Sequence, residues 1–173
     1  MEVIYIRKHN ARLFRLVPII ITIFLYIMIS VASSLSLTQL AEFPSSLPSN
    51  STSGKFFWIP IKIQTTVNVP FQITNIQIEG PNNSTYFENA TFYIYDYEDT
   101  NGFPGNGYAT LEKGFEIYQG KLSNPQGLWM NISEAALFIL IPPSLAIEKP
   151  ECKITLEYRW LGLISKSASV ILK

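Results

Sequence analysis

The chain contains a single cysteine, Cys152, and a single histidine, His9, in 173 residues. One cysteine rules out an intrachain disulfide and the paired CxxC spacing of zinc and redox sites, and Cys152 reads as a small buried hydrophobe at the head of a strand. His9 precedes the long apolar run, so the rest of the chain has no histidine. That removes His-dependent triads, His-ligated zinc and the commonest general base from everything downstream. Clustered basic residues are also missing there. Arg7, Lys8, Arg12 and Arg15 stand against Glu2 at the N-terminus, which leaves nine basic and twelve acidic residues for the remainder, a mildly acidic balance. A domain with scattered lysines and no basic stripe is not expected to bind nucleic acid. No cofactor-binding motif is present, so no cofactor is expected.

The N-terminus is polar and basic, and Leu16 to Val31 (LVPIIITIFLYIMISV) is apolar apart from a few hydroxyls. Basic then apolar keeps the N-terminus in the cytoplasm and sends the downstream chain across the membrane. Two fates fit. Ser30-Val31-Ala32 puts small residues before a cleavage point near Ala32, whereas Leu16 to Leu40 is long enough to span a bilayer. With no basic cluster behind the run, cleavage is the favoured fate; Pro18, placed early in the run, decides nothing. Residues 1–32 therefore read as a signal peptide or membrane anchor, and the rest as extracellular.

Residues 33–54 (SSLSLTQLAEFPSSLPSNSTSG) read as an extended Ser/Pro-rich tail. Within it Leu35 and Leu37 alternate with Ser and Thr before Leu40 and Phe43, the start of a half-buried strand that lacks a partner nearby in sequence. From Lys55 the period is close to two: Phe57, Ile59, Ile61 and Ile63 share one face, Trp58, Lys62 and Gln64 the other, with Pro60 suggesting a sheet edge. Further strands are expected over Phe71–Ile78, with a bulge at Thr74-Asn75, and over Thr91–Tyr97, Tyr108–Tyr118, Leu128–Ile132, Ala135–Ile141, Lys153–Trp160 and Leu163–Leu172. The unalternating run AALFILI fits a central strand covered on both faces or a short buried helix. The expected fold is an all-β, immunoglobulin-like or jelly-roll-type sandwich of seven or eight strands over residues 55–173.

Five sequons, at Asn50, Asn82, Asn83, Asn89 and Asn131, predict surface N-glycans on an exported chain. Glu112 and Glu116 are the one carboxylate pair that invites comparison with glycosidases. On a single strand they stand about 13 Å apart, too far for hydrolysis, which needs roughly 5 to 9.5 Å, so no enzymatic activity is expected. Asp96, Glu98, Asp99 and Asn101 bring oxygen ligands together before Gly102, but Tyr97 occupies the first ligand position of an EF-hand, and a polar turn is the simpler reading.

Two functions fit. In one, the strand around Leu35, Leu37 and Leu40 completes the sheet of another copy and builds a homopolymer. In the other, a membrane-anchored surface glycoprotein binds a ligand or another surface protein through loops such as NGFPGNG and IEGPNNST. In layout the chain resembles the subunits of archaeal surface filaments, in particular the thread filaments of Sulfolobales. That resemblance implies secreted, glycosylated β-sandwich heads linked by N-terminal donor strands. Archaeal type IV pilins are the neighbouring family, but Arg12 and Arg15 lie close to the apolar run and no basic-Gly or basic-Ala cut site precedes it.

Overall fold

The computed structural model describes residues 3–42, 55–80, 90–96, 107–118, 122–131, 133–141 and 151–173, with residues 3–15, 30, 55, 96 and 108 described as backbone. Two compact units emerge, Met1–Ser34 and Leu35–Lys173. The first is helix α1 (Val3–Ala32), on which Leu16, Ile20, Phe24 and Ile27 are exposed. Pro18 sits well inside this helix, and the Thr22 hydroxyl donates to the Pro18 carbonyl at 2.8 Å. Among the described residues, no helix is long and apolar enough to cross a membrane.

The second unit is a sandwich of two antiparallel sheets. One runs β1 (Leu35–Gln39), β2 (Lys55–Thr65), β8 (Glu134–Ile141), β4 (Thr91–Asp96), β6 (Leu122–Ser123), with β5 (Gly107–Thr110) also on β2. The other runs β10 (Ile164–Leu172), β9 (Cys152–Trp160), β3 (Phe71–Glu79), β7 (Trp129–Met130). The alternation along β2 acts as expected: Phe57, Ile59, Ile61 and Ile63 enter the space between the sheets, and Trp58 faces outward. They meet Phe71, Ile73, Ile154, Leu156 and Trp160 of the other sheet. Each such side chain, fully buried, contributes roughly 1.5 to 3 kcal/mol.

The bulge expected in β3 falls between Ile73 and Asn75, opposite Tyr158 and Glu157. It shifts the alternation so that Ile76 and Ile78 also reach the core. Pro60 does not mark an edge strand, because β2 is flanked by β8 on one side and by β5 and β1 on the other. It sits in the gap between Trp58, where the β5 pairing ends, and Ile61, where β1 begins. A residue without an amide hydrogen is tolerated at such a break in the ladder.

Residues 108–118 depart from the expected strand. After β5 the chain turns into helix α2 (Leu111–Ile117), capped by the Thr110 hydroxyl, which accepts from the Lys113 amide at 3.1 Å. Leu111, Phe115 and Tyr118 are at helical spacing and cover a second apolar cluster, Trp58, Leu122, Ala136, Phe138 and Leu140, on the outer face of the first sheet. Burial under that cover supplies what a seven-residue helix lacks in isolation. It also explains AALFILI: β8 carries Leu137 and Ile139 into the inter-sheet core and Phe138 and Leu140 into the outer cluster.

Two substitutions test this packing. A Cβ at Gly114 would overlap the Trp58 ring, so Gly114→Ala should lift α2 from the sheet and cost about 1 to 3 kcal/mol, read as a lowered urea midpoint. The β9–β10 turn has positive φ at Leu161 (48°) and Gly162 (75°), and the Leu163 amide donates to the Trp160 carbonyl at 2.9 Å. This is type I′ geometry, which Asn adopts more readily than Leu. Leu161→Asn should therefore raise stability by about 1 kcal/mol; an unchanged or lower midpoint would show that the turn carries no such strain.

Candidate assembly interface

The tail boundary at residue 55 needs correction: the sandwich begins at Leu35. β1 lies antiparallel to β2 in register Leu35↔Thr65 through Gln39↔Ile61, so the strand that lacks a sequence-local partner finds one in its own chain. The side chains alternate. Leu35 is 6% exposed and belongs to the core, Leu37 packs partly buried against it, and Ser36 and Thr38 face solvent. Leu40, just past the strand, is half-buried beside a shallow depression lined by Gln39, Ala41, Glu42 and Lys173.

Both ends of β1 are tied to the opposite sheet. At its start the Leu35 amide donates to the Tyr158 hydroxyl at 3.3 Å. Tyr158 is held by Phe71 and Trp160 in edge-on aromatic contacts, with ring centroids 6.0 and 5.7 Å away. Burial raises its pKa, and the bond from the Leu35 amide opposes that shift. At the far end the Gln39 side chain reads the backbone of Lys173 on both sides: its amide donates to the Lys173 carbonyl at 3.1 Å, and its carbonyl accepts from the Lys173 amide at 3.1 Å. The same amide donates to the Ala41 carbonyl at 2.7 Å. The inward parity of β9 marks Tyr158 as buried, but nothing local in sequence joins it to Leu35, or Gln39 to Lys173.

The other expected sites are dispersed. Asn131 is exposed, immediately after β7, while Asn50, Asn82, Asn83 and Asn89 lie outside the described residues. Of the oxygen-ligand loop, Asp96 ends β4, and Glu98, Asp99 and Asn101 lie outside the described residues. Among the described residues no three His, Cys, Asp or Glu side chains are grouped to hold a metal. Glu112 and Glu116 stand on α2, not on a strand, so the 13 Å separation does not apply; residues four apart on a helix have Cβ atoms about 6 Å apart. Both are exposed, and Glu116 pairs with Lys113 at 3.6 Å.

Cys152 is 2% exposed in the core, and burial pushes its thiol up to about 12. Burial, then the neighbouring Tyr95, does the same for Tyr118, up to about 12. In both cases the folded state keeps a proton that the unfolded state gives up. Stability should hold through neutral pH and fall once the unfolded thiol ionises near 9.0, with a second loss beyond the ordinary tyrosine value of 10.0. Urea midpoints measured across the alkaline range should show the decline of Cys152→Ala starting about one pH unit later than that of the parent.

No protein-family model and no curated protein matches this sequence.

Proposed function

We propose that the chain is an exported, glycosylated structural subunit that links to further copies of itself by exchanging β1, building a cell-surface filament or lattice. The observation that carries this reading is the connection between β1 and β2. Antiparallel neighbours stand about 4.8 Å apart and are normally joined by two to five residues. Here residues 40–54 intervene, a length that can reach up to about 50 Å when extended. A strand on so long a tether can occupy the place beside β2 in its own chain or in a neighbour with the same register, the same Leu35 and Leu37 contacts and the same Tyr158 bond. The exchange of one identical element between copies is a low-cost route to assembly. The basic-then-apolar N-terminus supports export, with α1 as the signal.

A second reading is a surface glycoprotein whose β1 stays in place and whose loops bind a partner; it is favoured by the ties at both ends of β1. A covalent lock separates the two. Ser36 and Gln64 are registered partners on β1 and β2, so Ser36→Cys with Gln64→Cys should close a disulfide that holds β1 in its own sheet. Light scattering and negative-stain images of the exported protein should show filaments that disappear in the oxidised variant and return on reduction. Leu35→Ser with Leu37→Ser should abolish them under either redox condition. A parent protein that stays monomeric at every concentration would sink the exchange reading and leave the binding module.

A further inference from the structure

Trp129 is 53% exposed, whereas Trp58 and Trp160 are 4% and 0% exposed. It is the first residue of β7, opposite Gln72 of β3, which in turn is opposite Arg159 of β9. The indole leans toward the β9–β10 turn. A Cβ at Gly162 would come within 3.2 and 3.6 Å of its Cη2 and Cζ2 atoms, so the absence of a side chain at Gly162 is what lets the ring rest there. One side of the ring is thus backed by the turn, and much of the rest is open. Leu161 (37% exposed) and Leu163 (75%) flank Gly162 in sequence.

Two residues beyond Trp129 stands Asn131, exposed and heading the sequon Asn131-Ile132-Ser133. In extended chain, residues two apart project to the same side, about 7 Å from one another. Asn131 follows Met130, the partner of Phe71, and the carbonyl of Pro70, next to Phe71, accepts from the Leu161 amide at 3.0 Å. The exposed, buried, exposed pattern of Trp129, Met130 and Asn131 puts the sequon asparagine and the open indole on the same, solvent-facing side of the chain.

We propose that Trp129 is a platform for the first sugar of a glycan carried by Asn131. The inference rests on reading the chain as an exported glycoprotein. The Asn131 side-chain nitrogen forms a bond to the anomeric carbon of a lipid-linked sugar phosphate or pyrophosphate; the lipid phosphate leaves with the bonding electrons, and the nitrogen loses a proton. The attached pyranose presents a face of C–H groups, and the electron-rich face of an indole attracts such positively polarised hydrogens. The sugar then covers an aromatic surface that the fold leaves in water. Exposed Arg159, in the same cross-strand row as Trp129, is placed to donate to the sugar's oxygens.

Because the other two tryptophans are buried, acrylamide quenching of the native protein reads Trp129. The full chain, secreted from a host that attaches N-glycans, should carry sugar at Asn131 by glycopeptide mass spectrometry. Asn131→Gln and Ser133→Ala, which remove the sugar by different routes, should both raise the quenching constant. Each should also lower Tm by about 3 °C, the shift expected for roughly 1 kcal/mol in a domain of this size. In a Trp129→Ala background the same substitutions should leave Tm unchanged. An unmodified Asn131, or a modified one whose removal changes neither quenching nor the Trp129-dependent part of Tm, overturns the proposal. Negative-stain images of the same samples read assembly separately. Filaments with a bare Asn131 would overturn the platform alone, and monomers with a shielded Trp129 would overturn the exchange of β1 alone.

Discussion

Strand β8 is buried along almost its whole length on both faces, and this double burial forces a third layer onto a two-layer sandwich. A strand in a simple sandwich offers one apolar face to the core and one polar face to water. Residues 135–141 (AALFILI) offer none to water. The inner side is met by the second sheet; the outer side, centred on Phe138, needs a separate cover, and α2 with Tyr93, Tyr95 and Trp58 provides it. Phe138 touches Trp58 and Tyr118 with ring centroids 5.5 and 4.7 Å away. The Trp58 indole donates to the Ala109 carbonyl at 3.2 Å, anchoring the cover to β5 as well as to the sheet. Gly114 is a requirement of that arrangement, because the helix backbone has to come close to the Trp58 ring.

β8 also sets the position of β2, and β2 sets the seat of β1. The flank of β2 away from β8 is divided at Pro60: one stretch takes β5 and the other takes β1. β1 is therefore a terminal strand of a sheet held on its other side by β8. Its own contribution is small, one fully buried leucine, one partly buried leucine and a short ladder. Closing residues 40–54 within the chain costs roughly 2 to 3 kcal/mol of loop entropy, comparable to what burying Leu35 returns. Under the proposed exchange the interaction surface would be the same whether β1 came from the same chain or another, so concentration and tether length would govern the balance between the two, with no new contact required.

Apolar periodicity makes the long alternating strands legible in the sequence. β2, β3 with its bulge, β4, β9 and β10 all follow from it, and Phe92 and Ile94 face away from Tyr93 and Tyr95 as that periodicity requires. The unalternating run of β8 is legible as a strand with two covered faces because further strands come after it. α2 reads as part of a strand over residues 108–118 because a seven-residue helix presents few periods. The spacing of Leu111, Phe115 and Tyr118 after a capping threonine is the signal for it. β6 is two residues long and has no periodicity to read. The partners of the interface residues are beyond reach for a different reason: Leu35 meets Tyr158, and Gln39 meets Lys173, across more than 120 residues of chain. Alternation specifies which side of a strand is buried and leaves open which strand lies opposite.

Among the described residues the sheet edges are unequal, and that inequality bears on how copies would meet under the proposed exchange. On one side of the sandwich the edges are β6 and β7, each only two residues long. Short edge strands expose little ladder for another chain to join, a common protection against unwanted pairing. On the other side are β1, five residues, and β5, four residues, which share the flank of β2, and β10, nine residues. The Gln39 side chain joins the β1 and β10 edges at Lys173, just past β10, and the Leu35 amide ties β1 to Tyr158 on β9. When β1 leaves, the flank of β2 from Ile61 to Thr65 loses its partner and the Tyr158 hydroxyl loses its donor, so the vacancy is both apolar and polar in pattern. A strand that fills it must bring an apolar side chain at the Leu35 and Leu37 positions, a backbone amide at Tyr158 and an amide side chain at Lys173. Within this chain, β1 meets all of these conditions together, which makes a second copy of β1 the best-matched replacement for the first.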